Sequence, residues 1–371
     1  MDWNAIRDEF PALSGRTYLN TATYGQLPRA ASAAVLEHLA RRDANACTDF
    51  LDWFEDLNEV RQQLGGLIGA QADDIAFVPN ASHALALVMN GIDWKDGDEI
   101  ITLKHEFPNQ LYASHAHRET RGIVCKWDEV EAHVSTRTRL VVLSTVNYET
   151  GFRPDLASLI PRLRERGVLV YLDGTQSIGA LRFDCAQLQP DFVGVDAYKW
   201  MICPNGAAFL YVSPAARKWL TPNVLGWRSD QDWRSVEVLH HGRPRFAESA
   251  EKYEGGMLPF PSLYAMRASA KLMEEIGLDN IEARVLALAD TLRNEICRLG
   301  GESIKMSGGA LPSQIVLMRL PNLDSSLLAK QLEAEKIHVS ARRGYIRISP
   351  HFYNNEADVD ALIRALQRLR N

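Results

Sequence analysis

VLVYLDGTQSIG (residues 168–179) and VGVDAYKWMICPNGAAFLYV (193–212) set the fold. Each is built on short, nearly uninterrupted apolar runs, VLVYL, FVGV and AAFLYV, with no polar alternation. Runs of this length and apolarity predict strands buried on both faces. Working outward, the same pattern recurs at LVVLSTV (140–146), IVCKW (123–127), EIITL (99–103) and DIAFV (74–78), with helical stretches between. Seven such runs predict a mostly parallel seven-stranded sheet in a large α/β domain over residues 20–260. Amphipathic stretches at 28–43 and 52–69 predict two helices before the first strand, the first opened by Pro28. The Gly226–Met257 stretch, rich in Arg, His, Gly and Trp, reads as long functional loops. Beyond it, helices at 262–276 and 278–299, strands at 314–319, 337–341 and 345–348, and a helix at 355–369 predict a smaller α+β domain over 261–371. The helix at 262–276 links the two, and residues 1–19 form an N-terminal segment packing near the smaller domain.

With 371 residues, 46% hydrophobic and 24% charged, the chain has the composition of a globular protein with about two domains. A net charge of -6 argues against a nucleic-acid partner. The N-terminus MDWNAIRDEF lacks the apolar core of a signal peptide, and no run approaches the ~18 residues of a membrane span. Cys47, Cys125, Cys185, Cys203 and Cys297 are scattered and never in a C-x-x-C pair, so neither a disulfide framework nor a zinc knuckle is expected. The expected setting is the cytoplasm. His105, His115 and His117 have no metal-ligand spacing, and neither G-x-G-x-x-G nor G-x-S-x-G occurs.

Three elements carry chemistry together. Asp173 ends a predicted strand, and the C-terminal edge of a parallel sheet is where such folds place ligands. Lys199 lies between two apolar strands, where desolvation lowers an amine's pKa and frees it to attack an aldehyde. VPNASHAL (78–85) runs from a strand into a helix start, whose N–H groups and Ser82 hydroxyl would cradle a phosphate. Individually these are a turn aspartate, a surface lysine and an ordinary helix cap. Jointly they suit pyridoxal phosphate, whose pyridinium needs an acid and whose aldehyde needs an amine.

The ordered set resembles the class V aminotransferase group of fold-type I pyridoxal-phosphate enzymes, which includes cysteine desulfurases, kynureninases, isopenicillin N epimerases and some carbon-sulfur lyases. The resemblance runs from YLNTATYGQLP (18–28) to IRISPHFYNNEADVD (346–360). It implies that Lys199 in DAYKW forms the Schiff base, with Asp196 and Tyr198 among the cofactor contacts. Asp173 would pair with the pyridinium nitrogen, and Gln176 would reach the cofactor oxygen. Ser82 and His83 match the phosphate turn, and Asn147 in VNYETG matches the amide bonded to the ring hydroxyl. Phe107 in HEFPNQLY matches the stacking aromatic of kynureninase-like members. Arg347 in YIRISPHFYN matches the arginine that grips the substrate carboxylate, its alternative being a solvent-facing strand residue. Asn20, Thr23 and Tyr24 fall in the segment that lines relatives' substrate sites.

Two departures stand out. Gly256 in YEGGM lies where many relatives have Gly-Thr, so only its backbone could reach a phosphate of the neighbouring subunit. Desulfurases carry a nucleophilic cysteine just before the substrate arginine, yet SARRGYI (340–346) has none. Cys203 reads as a small buried hydrophobe. The resemblance implies a homodimer with active sites at the interface, where Arg243 or Arg245 of HHGRPRF (240–246) would touch substrate. It also implies proton removal from the α-carbon of an amino acid by Lys199. Epimerisation or carbon-sulfur cleavage is favoured over transamination and persulfide-forming desulfuration. A catalytically silent binding protein on the same fold is the alternative of a different class, and the joint presence of Lys199, Asp173 and Arg347 argues against it.

Overall fold

The computed structural model describes residues 1–116, 120–235, 242–304 and 310–370. Strand β1 (Thr17–Tyr18) precedes seven strands of one sheet. These are β2 (Ile75–Val78), β3 (Asp98–Leu103), β4 (Thr120–Cys125), β5 (Thr138–Ser144), β6 (Leu169–Asp173), β7 (Phe192–Asp196) and β8 (Ala208–Val212). Their spatial order is β2-β8-β7-β6-β5-β3-β4. The five strands from β7 to β4 pair in parallel, whereas β8 runs antiparallel to both β7 and β2. Six strands therefore share one direction and only β8 is reversed.

The unbroken apolar runs have a direct cause. Val141, Leu143, Val170, Leu172, Val193 and Val195 enter one core, while Leu140, Val142, Tyr171, Phe192 and Leu210 enter the other. Side chains alternate across a strand, so burial of both faces demands apolar residues at every position. Strand β4 is the exception. It lies at the sheet edge and is half-exposed, so its start at Thr120 carries no apolar signal, and Trp127 of the expected strand belongs to a short turn capped by Glu129.

The second sheet has the order β12-β13-β10-β9, formed by β9 (Glu302–Ser303), β10 (Val316–Arg319), β12 (Ser340–Arg342) and β13 (Tyr345–Ile348). The strand expected at 337–341 is two strands, because β11 (Ile337–His338) leaves this sheet to pair in parallel with β1. Helices Leu278–Arg298, Ser325–Ala334 and Glu356–Arg370 cover one face. The middle helix has no counterpart in the sequence-based expectation. Asp324 caps it by accepting the Leu327 N–H (2.8 Å), and it buries Leu328 and Leu332. Val316, Met318, Ile346 and Ile348 point to these helices. The alternate residues, Arg347 among them, point to the other face. The helix Phe260–Ile276 adds Leu263, Met266, Ala270 and Met273 to a core of the large sheet.

The chain's beginning is stitched to this second unit. Besides the β1–β11 pair, Asn20 bridges Ser349, and Arg7 pairs with buried Asp358 at 2.7 Å. His351, fully buried, makes the link to the large sheet. Its Nδ1 accepts the Phe352 N–H (2.8 Å), so the proton sits on Nε2 and is donated to the Trp200 carbonyl (2.8 Å). Burial pulls its pKa down to about 3. An unfolded histidine titrates near ~6.5, so protonation favours unfolding. The contribution of neutral His351 should be complete above that pH and lost progressively as pH falls toward 3. His351→Gln should flatten this part of the stability profile, and urea titrations of both proteins from pH 7 to 4 would measure the difference.

Candidate active site

Four parallel strands deliver their C-terminal ends to one place. β5 ends at Ser144, β6 at Asp173 beside it in register, β7 at Asp196, and β3 leads into Glu106 and Phe107. This is the edge where open α/β sheets bind ligands. Strand β2 runs the same way into the helix Ala81–Gly91, capped by Asn80, whose Oδ1 accepts the His83 N–H (2.9 Å).

Lys199 occupies a tight turn between β7 and β8. The Cys203 N–H closes it on Ala197 O (3.1 Å), and the Gly25 N–H bonds Tyr198 O (2.9 Å). A Cβ at Gly25 would lie 1.9 Å from the Lys199 carbonyl oxygen, so only glycine permits this approach. Gly179, at φ +99, is also pressed close, where a Cβ would lie 2.4 Å from Trp200 O. Ile202 adopts φ 52, a left-handed conformation costly for a β-branched residue. The turn is thus held in a strained shape by its surroundings. Lys199 is 8% exposed, and burial lowers its pKa to about 8 against the opposing pull of Asp173. Its Nζ lies 5.6 Å from the Phe107 ring centre and 5.3 Å from that of Tyr198. Among the described residues it has no ion-pair partner.

Asp173 is fixed from two sides: Oδ1 accepts the Thr175 N–H (2.9 Å) and Oδ2 accepts Gln110 Nε2 (2.7 Å). Gln110 also approaches Ser144 Oγ (3.3 Å), and Ser144 gives both its N–H (2.8 Å) and its hydroxyl to Glu106. Burial raises the Glu106 pKa to about 7, and the nearby Asp173 adds to the shift. Sequence reasoning missed Glu106 and Gln110. Their signal was available: they flank Pro108 four residues apart, where a helix begins. Asp196 accepts the Ala81 N–H (3.4 Å), and burial raises its pKa to about 6.

Arg347 is 1% exposed. One terminal nitrogen donates to the Tyr148 carbonyl, the other to Thr23 Oγ1 and, at 3.5 Å, to Asn20 Oδ1. Its Nε has no partner and no carboxylate pairs with it among the described residues. Tyr24 packs on Tyr198 with ring centres 4.8 Å apart. The N-terminal residues Asn20, Thr23 and Tyr24 therefore gather at Arg347 and Lys199.

Other expected cofactor contacts also bond the protein itself. The Gln176 amide donates to Ala22 O (3.0 Å) and accepts Trp200 Nε1 (2.8 Å). Asn147 donates to His105 O (2.9 Å), and its Oδ1 accepts the backbone N–H groups of Glu149 and Thr150. Both brace the walls of the site. Ser82 is exposed and His83 half-buried at the helix start. Gly256 lies in a turn whose carbonyl accepts Arg228 (3.2 Å). Arg245 pairs with Asp232 and Asp230 in its own loop, Arg243 is exposed, and His117, His240 and His241 lie outside the described residues. Cys203 is fully buried, and its thiol is pushed up to about 12.

These residues suit pyridoxal phosphate: a desolvated amine and a braced, buried carboxylate lie at one sheet edge beside a helix N-terminus. The fold is that of the fold-type I pyridoxal-phosphate enzymes. The chain belongs to the class-V aminotransferase family, whose model matches residues 17–362, and members of that family are pyridoxal-phosphate-dependent. It is 24% identical to the uncharacterized aminotransferase YcbU of Bacillus subtilis, over 95% of this chain and 94% of that protein. It is 27% identical to the isopenicillin N epimerase of Amycolatopsis lactamdurans, over 99% and 98%. A structure of a C-DES variant with glycine covalently linked to its cofactor superposes with a TM-score of 0.88, at 22% identity, covering 97% of this chain and 98% of that one.

Glu106→Ala would strand two buried donors of Ser144 and should cost about 2–4 kcal/mol in a urea titration. A carboxyl with a raised pKa stabilises the fold most when neutral, below its unfolded pKa of ~4.3, and loses that contribution as pH rises through about 7. Glu106→Gln, permanently neutral, should lack this loss.

Proposed function

We propose that this enzyme removes the α-proton of an amino acid, and that epimerisation or carbon-sulfur cleavage follows. Arg347 carries this reading. A guanidinium buried without a counter-ion is costly, and a carboxylate would satisfy it through parallel hydrogen bonds. Tyr148 O and Thr23 hold its terminal nitrogens in place and leave Nε free.

Pyridoxal phosphate, when bound, supplies an electron sink for negative charge at the α-carbon. The chain's own residues do the rest. Arg347 binds and orients the substrate carboxylate. Lys199 Nζ takes the α-proton, and its pKa of about 8 lets it hold and release a proton near neutral pH. Asp173, braced by Gln110 and Thr175, would hold a proton on the ring nitrogen. Phe107 stands beside Lys199 and shields the amine from water. Asp196 ties the lysine turn to the helix start at Ala81, where Ser82 and His83 would hold the phosphate.

Two features favour this outcome over persulfide-forming desulfuration. Residues 340–346 lack a cysteine, and the nearest thiol in sequence to Lys199, Cys203, is buried and protonated. The likeness to an isopenicillin N epimerase supports chemistry at the α-carbon. A homodimer that brings the exposed Arg243 loop to a neighbouring site belongs to the same proposal. So does a reducing compartment, which the five free cysteines support. No helix among the described residues is long and apolar enough to cross a membrane.

Purified protein mixed with pyridoxal phosphate should develop a visible absorbance band that Lys199→Ala lacks. In heavy water it should exchange the α-proton of an amino acid, followed by NMR, with a rate that rises as pH passes about 8. Arg347→Gln should lower kcat/KM by roughly 100-fold, the worth of a charge-assisted hydrogen bond or two. Exchange undiminished in Lys199→Ala, or none with any amino acid, would overturn the proposal.

A further inference from the structure

The hairpin that carries Arg347 presents a second arginine on the same face. Ser340 of β12 lies opposite Arg347 of β13, and Arg342 lies opposite Tyr345. Paired residues, and those two apart along a strand, share a face. Arg342 is therefore diagonal to Arg347, a spacing of roughly 7–8 Å with the Cβ atoms somewhat closer. The opposite face of the hairpin holds Ile346 and Ile348 against the helices. Both arginines accordingly project toward Lys199, and the positive charge of Arg342 contributes to lowering the pKa values of both Arg347 and Lys199.

Among the described residues Arg342 has no anion of its own. It is half-buried, and its Nη1 bonds only the carbonyl of adjacent Ala341 (3.0 Å). No carboxylate pairs with it among the described residues. The next residue differs: Arg343 is held by Glu149 (3.1 Å) and His105 Nδ1 (2.8 Å). The two carboxylates nearest in charge to Lys199 are already engaged, Asp173 by Gln110 and Thr175, and Asp196 by Ala81. Like charges on diagonal positions repel unless an anion lies between them. A substrate with a single carboxylate satisfies Arg347 and leaves Arg342 over.

We propose that Arg342 binds a second anionic group, so that the substrate is an α-amino acid whose side chain carries a carboxylate, sulfinate or sulfonate. This rests on Arg347 holding the α-carboxylate, as proposed above. The first arginine then fixes the backbone end of the substrate, and the second selects its side chain. Neutral side chains leave a partly desolvated guanidinium unpaired, which is a basis for discrimination.

The test compares matched pairs on the cofactor-loaded protein by calorimetry: L-aspartate with L-asparagine, L-glutamate with L-glutamine, and L-cysteine sulfinate and L-cysteate with L-serine. The acidic member of at least one pair should bind roughly 10- to 100-fold more tightly, the worth of a charge-assisted hydrogen bond. The tightest pair tells carboxylate from sulfur acid. Arg342→Gln should bring the ratio close to one, Arg342→Lys should recover part of it, and Arg343→Gln should keep it. Equal binding of all pairs to the wild type overturns the proposal, as does an undiminished ratio in Arg342→Gln. Equilibrium dialysis of pyridoxal phosphate supplies a further readout. If Arg342→Gln weakens the cofactor and not the acidic preference, Arg342 serves the phosphate and the proposal falls. α-Proton exchange separates the two levels: exchange with neutral amino acids but no acidic preference overturns only this inference, whereas no exchange with any amino acid overturns the reading beneath it as well.

Discussion

The bond from His351 Nε2 to the Trp200 carbonyl joins the two halves of the site. A lysine side chain has reach but little direction of its own, so its backbone must supply the direction. Here the lysine turn is held by Gly25 on one side, Gly179 on another and His351 on a third, with Trp200 anchored on Gln176. His351 lies four residues beyond Arg347. The same short segment therefore positions the carboxylate-binding group and braces the amine. A loss at this bond would blur both ends of the substrate site at once, since catalytic groups need placement to a fraction of an ångström.

Charge in the site follows from burial more than from pairing. Lys199 is pulled down, while Glu106 and Asp196 are pushed up, and in each case burial is the largest cause. Groups with opposite shifts of this kind, gathered at one sheet edge, are what proton transfer near neutrality requires. Arg347 is the extreme member. Its charge is kept in place by a carbonyl and two side-chain oxygens, none of them ionised, which leaves its field uncancelled for an incoming anion.

The large sheet was legible because its strands are buried on both faces and so read as unbroken apolar runs. Where that condition fails, reading fails with it: β4, at the edge, was placed several residues late. The helix Ser325–Ala334 was missed although Pro321, Asn322 and the cap Asp324 punctuate its start, because it is short and buries little beyond Leu328 and Leu332. In the site, Lys199, Asp173 and Arg347 stood out through motif and neighbours. Glu106, Gln110 and His351 did not, since their importance lies in which atoms they touch. Gln176 and Asn147 were noticed for their motifs alone, and their amides also bond Ala22, Trp200, His105 and the 147–150 turn, contacts that sequence does not show. Arg342 was visible only as one basic residue in SARRGYI until the hairpin register put it beside Arg347.

The β1–β11 pairing and the Asn20–Ser349 bridge have a consequence for how the chain matures. Ribosomal synthesis delivers the N-terminus first, and domains generally fold as they emerge. Residues 17–20 are made well before their partners at 337–338 and 349, which lie more than three hundred residues later. The segment that grips Arg347 and abuts the Lys199 turn therefore waits until residues 337–349 have been made. Closure of so long a loop is slow relative to local folding. The large sheet can assemble beforehand, but the substrate site is completed only by the joining of two segments more than three hundred residues apart.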